Sequence, residues 1–253
     1  FYTKKRILKQ PDDQASSQSL YIAISMTVGI AIAYWTRSFS IFDENYSLPL
    51  LFATLAYGSI AATLRSQILW LIAILASAGW WAAQTHFWAN GSYQFAGMNY
   101  PLRMTIFGLV IWVSSFLISK IVLLKNFGDS TYKIGLVLFL FAAWTLSIFG
   151  NYDDMEKWTI TKQNYFWYWA LGYSILLVGI IYYALKENLE TLRDISLIFF
   201  LLNIYTRYFE YFWDRTNKGL FFAILAVSFW FVSKKASKWR TDLKQDSENA
   251  TLS

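Results

Sequence analysis

Apolar residues run along this chain in long blocks separated by short polar clusters. Uncharged stretches cover residues 14–36, 45–64, 66–102 and 163–185, and His86 is the only basic side chain inside the third. A helix needs about 20 apolar residues, rising about 1.5 Å each, to cross roughly 30 Å of hydrocarbon. The blocks therefore predict an all-α, polytopic transmembrane helical bundle with eight spans. These fall at residues 19–35, 48–64, 67–84, 104–124, 133–149, 165–185, 194–212 and 219–233. Residues 1–18 form a polar segment before the bundle, and 234–253 a basic, then disordered, tail.

Only Arg65 and Ser66 separate the second and third spans, which predicts a tight helical hairpin. Thr54, Gly58 and Ala62 make a small-residue face on one helix, and Ala78, Gly79, Ala82 and Ala83 offer another on its neighbour. Small residues let backbones approach where no hydrophobic force drives helices together. This hairpin is expected to be the best-packed unit.

Composition strengthens the membrane reading. Of 253 residues, 56% are hydrophobic and 20% aromatic, with mean hydropathy +0.34 and only 15% charged. Lysines and arginines give the orientation, because short cytoplasmic loops and flanks hold the excess. With both ends inside, 15 of the 22 fall on the cytoplasmic side, and the two tails supply the bias. The net charge of +6 is accordingly a topology signature and implies no nucleic-acid partner. The chain begins at Phe1 with a polar stretch unlike a cleavable signal, so the first span reads as an uncleaved start-transfer helix.

Candidate chemistry is sparse. No Cys and a single His exclude disulfides, iron–sulfur ligation by thiolates and His-rich zinc sites within one chain. No phosphate-binding loop, nucleophile elbow or dinucleotide fingerprint occurs, so neither an enzyme nor a cofactor is expected. Asp153, Asp154 and Glu156 make an acidic loop that reads as solvated, with a weak divalent-cation site as the alternative.

The seventh span is the informative one. Its uncharged core, residues 195–206, is too short to cross, so the helix must continue through Arg207 and Glu210. At about 100° per residue, Ser196, Asn203, Arg207, Glu210, Asp214 and Lys218 share one stripe. Arg207 is spaced to pair with Glu210, and Asp214 with Lys218. Arg103, Arg207 or Arg215 is a candidate cation to sit between the two acids. An unpaired charge facing lipid costs at least about 2.5–3.5 kcal/mol, so the stripe should face protein or water. It is read either as a paired staple or as a polar site for a partner or pathway.

The outer loop, residues 85–101, carries His86, Trp88, Tyr93 and Tyr100 and reads as an exofacial aromatic segment lying at the interface. Docking of a partner or pigment is the alternative.

Residues 203–235 carry an Arg followed by Tyr-Phe, then Phe-Trp-Asp, a short link and a last apolar helix ending in lysines. This stretch resembles the end of a broad bacterial family of predicted multi-pass membrane proteins known only as a domain of unknown function. The resemblance covers the last two spans. It implies a bacterial inner-membrane location and no activity, and it places Arg207, Tyr208, Trp213 and Asp214 in the recurring motif. The resulting expectation is a non-enzymatic scaffold or accessory subunit, embedded in the lipid bilayer beside other membrane subunits. A small-solute or ion transporter using the stripe is the alternative.

Overall fold

A computed structural model describes residues 12–38, 45–152, 155–161 and 163–212, with 219, 222, 223, 226–228, 230 and 234 beyond them. Trp213, Asp214, Arg215, Lys218, the acidic pair Asp153 and Asp154, and most of the predicted eighth span lie outside the described residues. Among the described residues the chain is helical, and its one β contact is an isolated bridge between Phe95 and Met98. The helices are α1 (Asp12–Arg37), α2 (Leu48–Leu64), α3 (Gln67–Trp88), α4 (Tyr100–Ile118), α5 (Gly128–Phe149), α6 (Met155–Ile160), α7 (Trp167–Lys186) and α8 (Glu190–Phe212). The chain divides into two units, Phe1–Asn203 and Ile204–Ser253.

Among the described residues, five helices are long and apolar enough to cross a bilayer: Ser19–Arg37 within α1, α3, α4, Lys125–Phe149 and α7. α2 is apolar but shorter, at 17 residues. α8 is not one of the five, because Glu190, Arg193, Asp194, Arg207 and Glu210 interrupt it.

Local chemistry explains the ends. α2 stops where Arg65 turns left-handed (φ 54°, ψ 37°), and its N–H bonds back to the Ala61 carbonyl. Ser66 then caps α3 by accepting from the Leu69 N–H at 3.4 Å. The predicted hairpin is thus formed. α3 runs four residues past the predicted end at 84, because nothing in Thr85–Trp88 breaks a helix. Termination waits for Asn90 and Gly91, both at positive φ (50° and 79°). α4 starts four residues before the predicted 104, since Asn99 caps the Leu102 N–H at 3.1 Å and Pro101 fits the first turn. It ends at Ile118 rather than 124, and the chain then turns into a short 3-10 segment, Lys125–Phe127.

The closest pair of helices is not the one expected. A Cβ on Gly108 of α4 would lie 2.5 Å from the Phe139 backbone nitrogen, and one on Gly135 of α5 would lie 2.5 Å from that of Trp112. These two backbones touch through opposed glycines. In the α2–α3 hairpin, a Cβ on Gly58 would meet nothing within 4 Å, and one on Gly79 would meet only the Leu50 side chain. The buried face of α2 is instead Tyr57 and Ala61, packed with Leu69, Ala73 and Phe127. Small residues tighten an interface only when they point into it, and Gly58 does not.

A second cluster joins Leu136, Leu140 and Ala143 of α5 to Tyr173, Leu177 and Ala184 of α7 and to Leu192 and Phe199 of α8. Between the two clusters, Trp70 of α3 stacks on Phe127 at 4.5 Å and donates to Thr131 Oγ1 of α5 at 2.8 Å. Outward faces stay apolar, as with Ile22, Met26, Ile30 and Tyr34 along α1.

Candidate functional site

Among the described residues, buried polar side chains gather along α8 and at the junction of α3 and α4. The first is the stripe of α8. Asn203, 2% exposed, donates through Nδ2 to Ser174 Oγ of α7 at 2.9 Å. Ser196 is also fully buried. In the second unit, Arg207 Nη1 lies 2.5 Å from Glu210 Oε2, with side chains only 16% and 11% exposed. The i,i+3 spacing anticipated this pair. Asp214 and Lys218, the remaining members of the stripe, lie outside the described residues.

The second place is the end of the bundle where α3 stops and α4 begins. Arg103, in the first turn of α4, is 1% exposed. Its Nη2 donates to the Tyr93 carbonyl at 3.0 Å and its Nε to the Asn99 carbonyl at 3.4 Å. The guanidinium carbon stands 4.1 Å from the centre of the Tyr100 ring. Its Nη1 is buried and has no hydrogen-bond partner among the described residues. Among the described residues, no carboxylate pairs with it.

A polar frame surrounds this arginine. The Asn99 side chain donates to the Gly150 carbonyl at 2.7 Å while capping α4, and its backbone N–H donates to Asn151 Oδ1 at 2.9 Å. Asn151 Nδ2 in turn donates to the Gly97 carbonyl at 2.8 Å. The amides thus tie the turn after α3 to the end of α5. Nearby on α3, Gln84 Oε1 accepts from Ser47 Oγ at 2.5 Å, and both residues are buried.

The aromatic members of the predicted outer loop are not all in a loop. His86 and Trp88 occupy the last turn of α3, Tyr100 opens α4, and only Tyr93 sits in the turn between. The His86 ring lies 5.9 Å from Tyr100 and 6.2 Å from Tyr46, and its Nδ1 is buried without a partner. Trp88 packs against Phe95 at 5.7 Å.

Sequence reasoning missed Asn99, Asn151, Gln84 and Ser47. One signal was legible: Asn-Tyr-Pro at 99–101, an N-cap followed by a proline in the first turn.

A separate cavity of about 750 Å³ lies among α4, α5, α7 and the start of α8. Trp112, Phe116, Tyr132, Ile175, Gly179 and Leu192 contribute to its walls, which are overwhelmingly apolar.

Compared with family models, curated proteins and solved structures, the chain matches none. Its helices are those of a membrane-embedded protein. What it does must be read from its own polar groups.

Proposed function

We propose that this chain is a non-enzymatic scaffold or accessory subunit of a membrane complex, with eight spans and both termini cytoplasmic, in a bacterial inner membrane. The observation that carries the reading is the Arg207–Glu210 pair. Two largely buried opposite charges in contact three residues apart on one helix act as a staple. A transport pathway would favour charges held open towards water or solute. Asn203, bonded to Ser174, is likewise engaged in helix packing. The apolar walls of the cavity among α4, α5, α7 and α8 also suit packing or lipid better than a hydrated solute. The resemblance of the last two predicted spans to bacterial multi-pass proteins supports the location.

Purification in a mild detergent tests the reading. A stoichiometric protein partner, lost when outward apolar residues such as Met26 and Ile30 are changed to serine, is the expected result. A chain that purifies alone and moves an ion or small solute across liposomes would replace this reading with the transporter alternative.

A further inference from the structure

Arg103 presents a different problem from Arg207, and it stands whether or not the chain has a protein partner. A guanidinium carries five N–H donors and a charge that does not leave at any ordinary pH. At 1% exposure, Arg103 has lost its water. In exchange it has two backbone carbonyls and a tyrosine ring, with Nη1 left over. Neutral dipoles offset only part of the cost of burying an ion, and buried charges are normally paired with an opposite charge.

We propose that Arg103 is the anchor of an oxyanion site that takes a phosphate group, either from a lipid headgroup or from free phosphate. Three features fit that ligand. The guanidinium fork matches phosphate oxygens, and Nη1 is the arm still open. Arg103 lies three residues into α4, about 4.5 Å from its start, so the N-terminal end of the helix dipole adds positive potential. Because α4 is long and apolar enough to cross a bilayer, its first turn falls near the depth of the lipid phosphates. His86 Nδ1, which donates in one imidazole tautomer, is likewise buried without a partner among the described residues, on a ring 5.9 Å from Tyr100.

Entry of the ligand requires the turn between α3 and α4 to move. Tyr93 belongs to the turn between α3 and α4, and its carbonyl is the weakest sort of partner for a guanidinium, a neutral one. A charged phosphate oxygen would displace it once that turn lifts. Tyr93 is 57% exposed, so little packing opposes the movement.

The test uses the full chain, stripped of lipid in dodecyl maltoside, with melting temperature as the readout. Phosphatidylglycerol and inorganic phosphate are added in separate arms, and sodium chloride of equal ionic strength in a third. The proposal expects a saturable rise of roughly 5 °C at a concentration about 100 times the dissociation constant. Chloride should not reproduce it. A rise with phosphatidylglycerol alone assigns a lipid headgroup, and a rise with both assigns the oxyanion itself. Arg103→Gln should abolish the rise, and Arg103→Lys, which keeps the charge but not the fork, should weaken half-saturation by about tenfold. If Arg103→Gln does not fold, the wild-type titrations and Arg103→Lys still decide. No rise with either phosphate source overturns the proposal, as does a rise matched by chloride or undiminished in the variants.

Discussion

Arg103 and Arg207 are both carried by helices in an apolar chain, and both have largely lost contact with solvent. Their surroundings differ in the one respect that matters for a buried ion. Arg207 has Glu210 one turn along its own helix, an opposite charge within direct contact. Arg103 has carbonyls from Tyr93 and Asn99 and the Tyr100 ring, and among the described residues neither a carboxylate nor a hydrogen-bond partner for Nη1. A matched charge is evidence of a staple. A buried charge with no carboxylate beside it among the described residues is what the phosphate proposal rests on.

Breaking the matched pair should have the largest effect. Arg207→Ala strands Glu210 as a largely buried carboxylate, and a cost of about 3 kcal/mol is expected, towards the lower end for such pairs because some exposure remains. In a chain of this size that lowers the melting temperature in detergent by roughly 6–12 °C. Next comes the frame that holds the unmatched arginine. Asn99→Ala removes the cap of α4 and the bond to the Gly150 carbonyl, for about 2 kcal/mol by thermal melting. Asn203→Leu deletes the bond to Ser174, worth about 0.6–1.7 kcal/mol between membrane helices, and chemical denaturation in mixed micelles should resolve it. Smallest of all, in phosphate-free and lipid-free detergent, is Arg103→Gln, at under about 1 kcal/mol. Losing two neutral hydrogen bonds is there offset by removing an uncompensated buried charge. If Arg103→Gln proves as damaging as Arg207→Ala, the two arginines play the same structural part and the contrast fails.

What the sequence disclosed was governed by range. The α2–α3 hairpin was legible because Arg65 and Ser66 act on their immediate neighbours, and the boundaries of α2 agree with the expected 48–64. The Arg207–Glu210 pair was legible for the same reason, since three residues on a helix place two side chains together wherever the helix goes. The α4–α5 contact was hidden. Gly108 and Gly135 reveal their purpose only when two helices are set against each other, and a glycine on one helix does not say what it faces. Gly58 carried the same local signal and meets open space. The sequence pattern alone offers Arg103 as a cation for the acids of the seventh span. Its actual partners, Tyr93, Asn99 and Tyr100, lie within ten residues of it, but the turn that brings the Tyr93 carbonyl back depends on positive φ at Asn90, Gly91, Ala96 and Gly97. Such a turn has no periodic signature.

The most direct test of the staple is the coupling energy between Arg207 and Glu210, from a double-mutant cycle of Arg207→Met and Glu210→Leu read by thermal melting. A self-contained pair predicts that each single change is costly and that the double change recovers most of the loss, with coupling above about 1.5 kcal/mol. Additive losses, with no recovery in the double variant, would mean that each charge serves something other than its partner.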